Sequence, residues 1–126
     1  MKDLIQKALD TRKNAYAPYS QFAVGAALEA ENGTIYTGCN VENASYGLSI
    51  CAERTALVKA ISEGAKKFKR LAIVADTPEA VTPCGMCRQM LMEFSPEMEL
   101  ILANTKGKSE TVVLSKLLPR AIKLPR

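Results

Sequence analysis

Cys84-Gly85-Met86-Cys87 places two thiols three positions apart, a spacing that on the first turn of a helix puts both on one face within reach of a single ion. Cys51 offers a third thiolate, and Glu53 follows it by two residues. Zinc is held by such sulfurs in a tetrahedron, and three protein ligands leave its fourth position open, the arrangement of catalytic rather than structural sites. Glu53 lies near enough to that open position to handle protons, yet is misplaced to be a fourth ligand on the same geometry. Three thiolates around a divalent ion leave a net negative charge, which weakens the ion's ability to acidify a bound water, so positive charge must compensate. Arg54 can donate to the cysteine sulfurs, and helix N-termini at Cys51 and Cys84 add partial positive charge that favours the ionised thiolates. Arg88, which follows Cys87, is a weaker candidate for the same role and reads first as a surface arginine. The remaining thiol, Cys39, reads as a buried free cysteine; its rival role is a fourth ligand that would close the site.

These residues need elements to position them. A first helix is expected from Lys2 to Asn14, with Leu4, Ile5, Ala8 and Leu9 as its apolar stripe, followed by the turn Ala17-Pro18-Tyr19-Ser20. Phe22 to Leu28 alternates as a strand, Asn32-Gly33 supplies residues of positive φ for a tight hairpin, and Thr34 to Asn40 returns. Cys51 to Gly64 reads as a helix capped by Ser49 and stopped by Gly64. Leu71 to Ala75 is an unbroken apolar run and hence a buried strand. A third helix is capped by Thr82, has Pro83 in its first turn, and sets Met86, Met90, Leu91 and Phe94 at helical spacing as core. Leu100 to Ala103 and Thr111 to Leu114 are separated only by Asn104 to Lys108, too short for a crossover helix, so this last pair is antiparallel. The expected fold is α/β: a three-layer αβα sandwich on a five-stranded mixed sheet. The second and third helices would meet nose to nose, bringing Cys51, Cys84 and Cys87 together.

A chain of 126 residues fits one domain, 1–126, and its 48% hydrophobic content suits a globular core. The net charge of +4 is dispersed. Its densest cluster, Lys66, Lys67, Lys69 and Arg70, reads as a solvated helix end with no aromatic platform beside it, so nucleic acid is not an expected partner. Met1 to Lys7 has no continuous apolar run and nothing approaches a membrane span, so a cytoplasmic protein without a membrane partner is expected. In that reducing setting four cysteines are ligands or thiols before they are disulfides.

Cys51-Ala52-Glu53 followed by Pro83-Cys84-Gly85-Met86-Cys87 is similar to the signature of the zinc deaminases, with cysteine as the first ligand. Tyr16 to Ser20, Phe22 to Ala27, Gly38 to Ala44, Cys51 to Ala56, Pro83 to Gln89 and Leu117-Leu118-Pro119 extend the likeness over nearly the whole chain, which resembles the small homotetrameric cytidine deaminases. The resemblance implies one Zn2+ per chain on Cys51, Cys84 and Cys87. A water acidified by the metal would attack C4 of free cytidine or deoxycytidine; Glu53 would pass the water's proton to N3 and, in a separate transfer, protonate the departing ammonia. It implies further that Phe22 packs on the pyrimidine, Asn40 and Glu42 bond the ribose hydroxyls, and the backbone of Ala52 holds the base carbonyl. Ala44 and Tyr46 would reach a neighbouring subunit's site in a homotetramer. Where many relatives have Gly-Ala-Phe after Leu-Leu-Pro, this chain has Arg120-Ala121-Ile122, and Ile122 cannot stack as a phenyl ring does.

Two other functions fit parts of the pattern. One is a nucleic-acid deaminase of the same superfamily, disfavoured by the short hairpin between the last strands and by the missing basic-aromatic groove. The other is a structural zinc module closed by Cys39. A thiol oxidoreductase using Cys84 and Cys87 leaves Cys51 and Glu53 unexplained.

Overall fold

The computed structural model describes residues 2–78 and 85–117, apart from the side chains of Lys2, Tyr46 and Met86. Its elements are α1 (Lys2–Arg12), β1 (Val24–Ala30), β2 (Ile35–Cys39), α2 (Ala52–Ser62), β3 (Phe68–Ala75), α3 (Gly85–Phe94), β4 (Glu99–Asn104) and β5 (Ser109–Val113), with short 3₁₀ turns at Tyr46–Leu48 and Leu114–Leu117. The strands form one sheet in the order β2-β1-β3-β4-β5. β3 and β4 are parallel and the other neighbours antiparallel: β3 and β4 are the neighbouring strands joined through a helix, α3, which returns the chain to the same end, whereas α2 joins β2 to β3 on either side of β1.

Both faces of the sheet are covered, which is why its central strands read as unbroken apolar runs. Alternate residues divide between the layers. Ala26, Leu28, Leu71, Ile73, Leu100 and Leu102 join Ala56, Leu57 and Leu91 of α2 and α3 in one core. Ala27, Ala72, Val74, Ile101 and Ala103 pack with Leu4 and Ala8 of α1 in the other. The expected αβα sandwich is the observed one.

The boundaries differ from the sequence reading for local reasons. α1 stops at Arg12, where Asn14 and Ala15 N–H groups tighten to the Thr11 and Arg12 carbonyls. β1 begins at Val24 rather than Phe22 because the chain is still turning: Gln21 has φ 61 and the Phe22 N–H donates to Ser20 Oγ. β3 begins at Phe68, so Lys69 and Arg70 stand on a strand and not at a helix end. Arg70 Nε lies 3.1 Å from a Glu29 carboxylate oxygen on β1, a contact of charge without an aligned hydrogen bond. Ser49 does not cap α2: the N-cap is Cys51, which makes no side-chain cap bond, and Ser49 Oγ accepts instead from the Asn43 N–H.

Gly64 does end α2, at φ +98, with its own N–H bonded to the Ile61 carbonyl and that of Ala65 to the Ala60 carbonyl, a Schellman closure. The β1–β2 hairpin is one residue longer than a two-residue turn. Ala30 and Thr34 pair across Glu31-Asn32-Gly33, and Gly33 alone takes positive φ there, while Asn32 Oδ1 accepts the Thr34 N–H.

Gly38 fixes how closely α2 approaches the sheet. A Cβ at this position would stand 2.5 Å from the Ala56 nitrogen and 2.6 Å from the Ala52 oxygen, both backbone atoms that no rotamer change can move. Gly38→Ala is therefore expected to lower stability by at least about 2 kcal/mol, whereas Gly47→Ala, with nothing within 4 Å of the added carbon, is expected to be nearly neutral. Denaturant unfolding of the two variants checks this; equal stability would contradict the close approach.

Candidate active site

Because Gly38 admits α2 against β2, the first turn of α2 is drawn into the core. Ala52 is fully buried and Glu53 is 5% exposed. The Glu53 carboxylate accepts a hydrogen bond from the Cys87 thiol in the first turn of α3 and feels the charge of Cys51 at the head of its own helix. The two helices thus meet at their N-terminal turns, as the motif spacing suggested. Cys84, with Thr82 and Pro83, lies outside the described residues, as do Leu118, Pro119 and Ile122.

Burial dominates the electrostatics. It pushes the Glu53 carboxyl from 4.5 up to about 7; the Cys51 sulfur adds to this, while the backbone amide of Glu53, the Cys87 thiol and the Arg54 guanidinium oppose it. A carboxyl poised near neutrality can both take and return a proton.

Among the described residues no three His, Cys, Asp or Glu side chains surround a common metal position, and the chain contains no histidine. The donors present nonetheless suit zinc. Cys51 and Cys87 are thiols and not disulfide halves, each in or at the head of a helix's first turn, where the peptide dipoles favour the thiolate. Arg54 supplies a second sign. Its Nη2 donates to the Ser49 carbonyl at 2.8 Å, but its Nε is buried with no hydrogen-bond partner among the described residues. A buried cationic N–H without an acceptor is costly, and thiolates held by a metal beside it would supply one.

A second group of side chains stands at the entrance formed by the 16–24 turn and the segment after β2. Asn40 is engaged at both ends of its amide: Nδ2 donates to the Phe22 carbonyl and Oδ1 accepts the Val24 N–H, each at 2.8 Å. Glu42 accepts from the N–H groups of Tyr19 at 3.0 Å and Ser20 at 3.1 Å and from the Ser20 hydroxyl. The Ser20 hydrogen bonds hold its carboxyl below the usual carboxylate value. Tyr19, Ser20, Glu42 and Ser49 line a cavity of about 320 Å³. Phe22, Asn40 and Glu42 are thus brought together, with Phe22 38% exposed. Ala44 is exposed at a bend, and Tyr46 begins the following 3₁₀ turn.

Three expectations change. Cys39 is half-buried rather than buried, its thiol pKa raised by burial with Lys59 opposing. Arg88 is not a surface arginine: it is partly buried and its Nη1 donates to the Leu117 carbonyl at 3.1 Å. Ser20 and Ser49 belong to the cavity although neither was singled out as a site residue; Ser20 lay within the Tyr16 to Ser20 motif, and the signal for it was Glu42, 22 residues away, which nothing in the local sequence links to it.

The family model described as the cytidine and deoxycytidylate deaminase zinc-binding region matches residues 1–103. The chain belongs to this family. A cytidine deaminase from Sporosarcina psychrophila is 52% identical over 122 residues, 96% of this chain and 90% of that one. One from Halalkalibacterium halodurans is 50% identical over 119 residues, 94% of this chain and 90% of the other. Among solved structures, the cytidine deaminase of Burkholderia pseudomallei superposes with a TM-score of 0.94 at 46% identity, covering 96% of this chain and 98% of that one. The zinc deaminase fold and metal chemistry of the family are therefore those of this chain.

The raised carboxyl has a consequence for stability. A carboxyl whose folded pKa exceeds its unfolded value contributes stability that is complete below the unfolded value and is lost as pH rises through the folded one. The metal-free protein should therefore lose stability relative to Glu53→Gln between pH 4.5 and about 7, by about 3 kcal/mol in all, and no further above that. Urea unfolding of both metal-free proteins across this range checks it; parallel stability curves would contradict the burial of an ionisable Glu53.

Proposed function

We propose that this chain hydrolyses the 4-amino group of free cytidine and deoxycytidine, giving uridine or deoxyuridine and ammonia. The observation that carries the reading is the buried Glu53 carboxyl in contact with Cys87 and beside Cys51, at the meeting of two helix N-termini. Cys51, Cys84 and Cys87 are the residues that would hold one zinc ion per chain, and Arg54 would offset the charge of their sulfurs. When bound, zinc supplies a Lewis acid that brings the pKa of a water toward neutrality.

The chain's own groups supply the remainder. Glu53 takes a proton near neutral pH and delivers it to N3 of the pyrimidine; it then takes the proton of the hydroxyl added at C4 and delivers that one to the leaving amine, so that the C4–N bond breaks as the C4 carbonyl forms. Its burial keeps bulk water from competing for that proton. The Ala52 N–H, in the first turn of α2 and so without an intrahelical acceptor, is suited to the base carbonyl. Phe22 offers a ring face to the pyrimidine. Asn40 and Glu42 are the contacts for the ribose hydroxyls. That substrate class is supported by relatives named cytidine deaminase that align along almost the entire chain.

A homotetramer with neighbours completing each pocket through Ala44 and Tyr46 belongs to the same reading. It is supported by apolar side chains that stand exposed beside the entrance: Tyr16, Val41, Leu48 and Ile50, with Val41 bridged to both Tyr16 and Ile50. A cytoplasmic location accords with a ligand set of three reduced thiols.

Purified protein mixed with cytidine should show the absorbance change of conversion to uridine. Glu53→Gln should abolish this by about a thousandfold or more while keeping one zinc per chain. Turnover of a cytosine-containing oligonucleotide but not of cytidine would favour a nucleic-acid deaminase. Undiminished activity of Glu53→Gln would remove Glu53 from the chemistry.

A further inference from the structure

Ser20 joins the two halves of the entrance. Its N–H donates to Glu42 Oε1 and its hydroxyl to Glu42 Oε2, while its Oγ accepts the Phe22 N–H at 3.1 Å. Tyr19 N–H gives Glu42 Oε1 a second donor. A carboxylate has about four acceptor positions, two on each oxygen. Both positions on Oε1 are thus taken, and one on Oε2 is taken by the serine. Among the described residues a single acceptor position remains, on the oxygen that Ser20 Oγ holds in place.

The backbone around Ser20 is set for this role. Gln21, the next residue, is the one non-glycine residue of positive φ among those described, at 61°, a left-handed conformation that costs about 1 to 2 kcal/mol. The surrounding bonds hold it: Gln21 N–H to the Ala17 carbonyl, Phe22 N–H to Ser20 Oγ, and the Asn40 amide to Phe22 and Val24. Strain kept at a cavity wall by a ring of hydrogen bonds is a mark of a site built to fix one geometry.

We infer that Ser20 is a positioning residue for substrate selection: its hydroxyl orients Glu42 Oε2 so that this oxygen accepts a hydrogen bond from one ribose hydroxyl, and through Glu42 it sets the preference for nucleosides that carry that hydroxyl. The inference rests on the reading of Glu42 as a ribose contact. Ser20 touches no reacting atom in this scheme and acts through Glu42 alone.

The test compares kcat/KM for cytidine and for 2′,3′-dideoxycytidine, which has no ring hydroxyl for Glu42 to bind, in the native protein and in Ser20→Ala, Ser20→Thr and Glu42→Gln. Ser20→Ala should lower the cytidine value about tenfold, the worth of one charge-assisted hydrogen bond partly screened by water, mainly through KM. It should leave the dideoxycytidine value within about twofold. Ser20→Thr keeps the hydroxyl and should restore most of the loss. Adding Ser20→Ala to Glu42→Gln should cause little further change, because the two act on one contact. Equal losses on both substrates, or no loss on cytidine, would overturn the role of Ser20. If Glu42→Gln itself leaves the preference for cytidine unchanged, the ribose assignment of Glu42 falls, and the role of Ser20 with it. Loss of the preference in Glu42→Gln with none in Ser20→Ala would sink only the role of Ser20.

Discussion

The site depends on one contact, that of the Glu53 carboxyl in the first turn of α2 with the Cys87 thiol in the first turn of α3. It brings an acid, two thiols and the positive ends of two helices into one buried volume, where each would be costly alone. An ionised carboxylate in that position is disfavoured by desolvation, and the Cys51 sulfur raises its proton affinity further. A divalent cation held by Cys51, Cys84 and Cys87, as proposed, would resolve the conflict: it would stabilise the sulfurs as anions and offer acceptors to Arg54 Nε, which has no hydrogen-bond partner among the described residues. The frustration of the chain alone and the function of the chain with its metal have the same origin.

The rest of the architecture serves to make that contact possible. α2 lies against β2 because Gly38 has no side chain, and α3 crosses between the parallel strands β3 and β4, so its first turn opens at the same end of the sheet. A small residue in an edge strand thereby helps to determine where an acid in a helix stands. The entrance is assembled differently, by side chains bonding to backbone: Asn40 and Glu42, leaving β2, stitch the 16–24 turn in place. Rigid helices position the acid and the thiols, and a hydrogen-bonded turn positions Glu42, the group proposed to recognise the substrate.

The legible parts of this structure were those governed by local pattern. The two-faced burial of β3 and β4 appeared as apolar runs, Gly64 as a helix stop, and the short Asn104 to Lys108 connection as an antiparallel return. The converging helix ends followed from cysteine spacing together with the placement of helix starts. What escaped depended on partners distant in sequence. Lys69 and Arg70 looked like a solvated helix end because Glu29, which Arg70 faces across the sheet, lies far upstream. Ser49 had the chemistry of a cap, but the Asn43 N–H claimed its hydroxyl. Arg88 looked exposed until the chain returned at Leu117 to cover it. The roles proposed for Phe22, Asn40 and Glu42 came from family likeness; the link that Ser20 makes between Glu42 and Phe22 had no sequence signal.

The most direct measurement is X-ray absorption at the zinc edge on the purified, zinc-loaded protein, which counts the atoms bound to the metal by type and distance. The account requires three sulfurs at about 2.3 Å and one oxygen at about 2.0 Å, with the oxygen shell persisting in Glu53→Gln. Four sulfurs would mean a closed structural site, and a shell without sulfur would separate the metal from Cys51, Cys84 and Cys87 altogether; either result contradicts it.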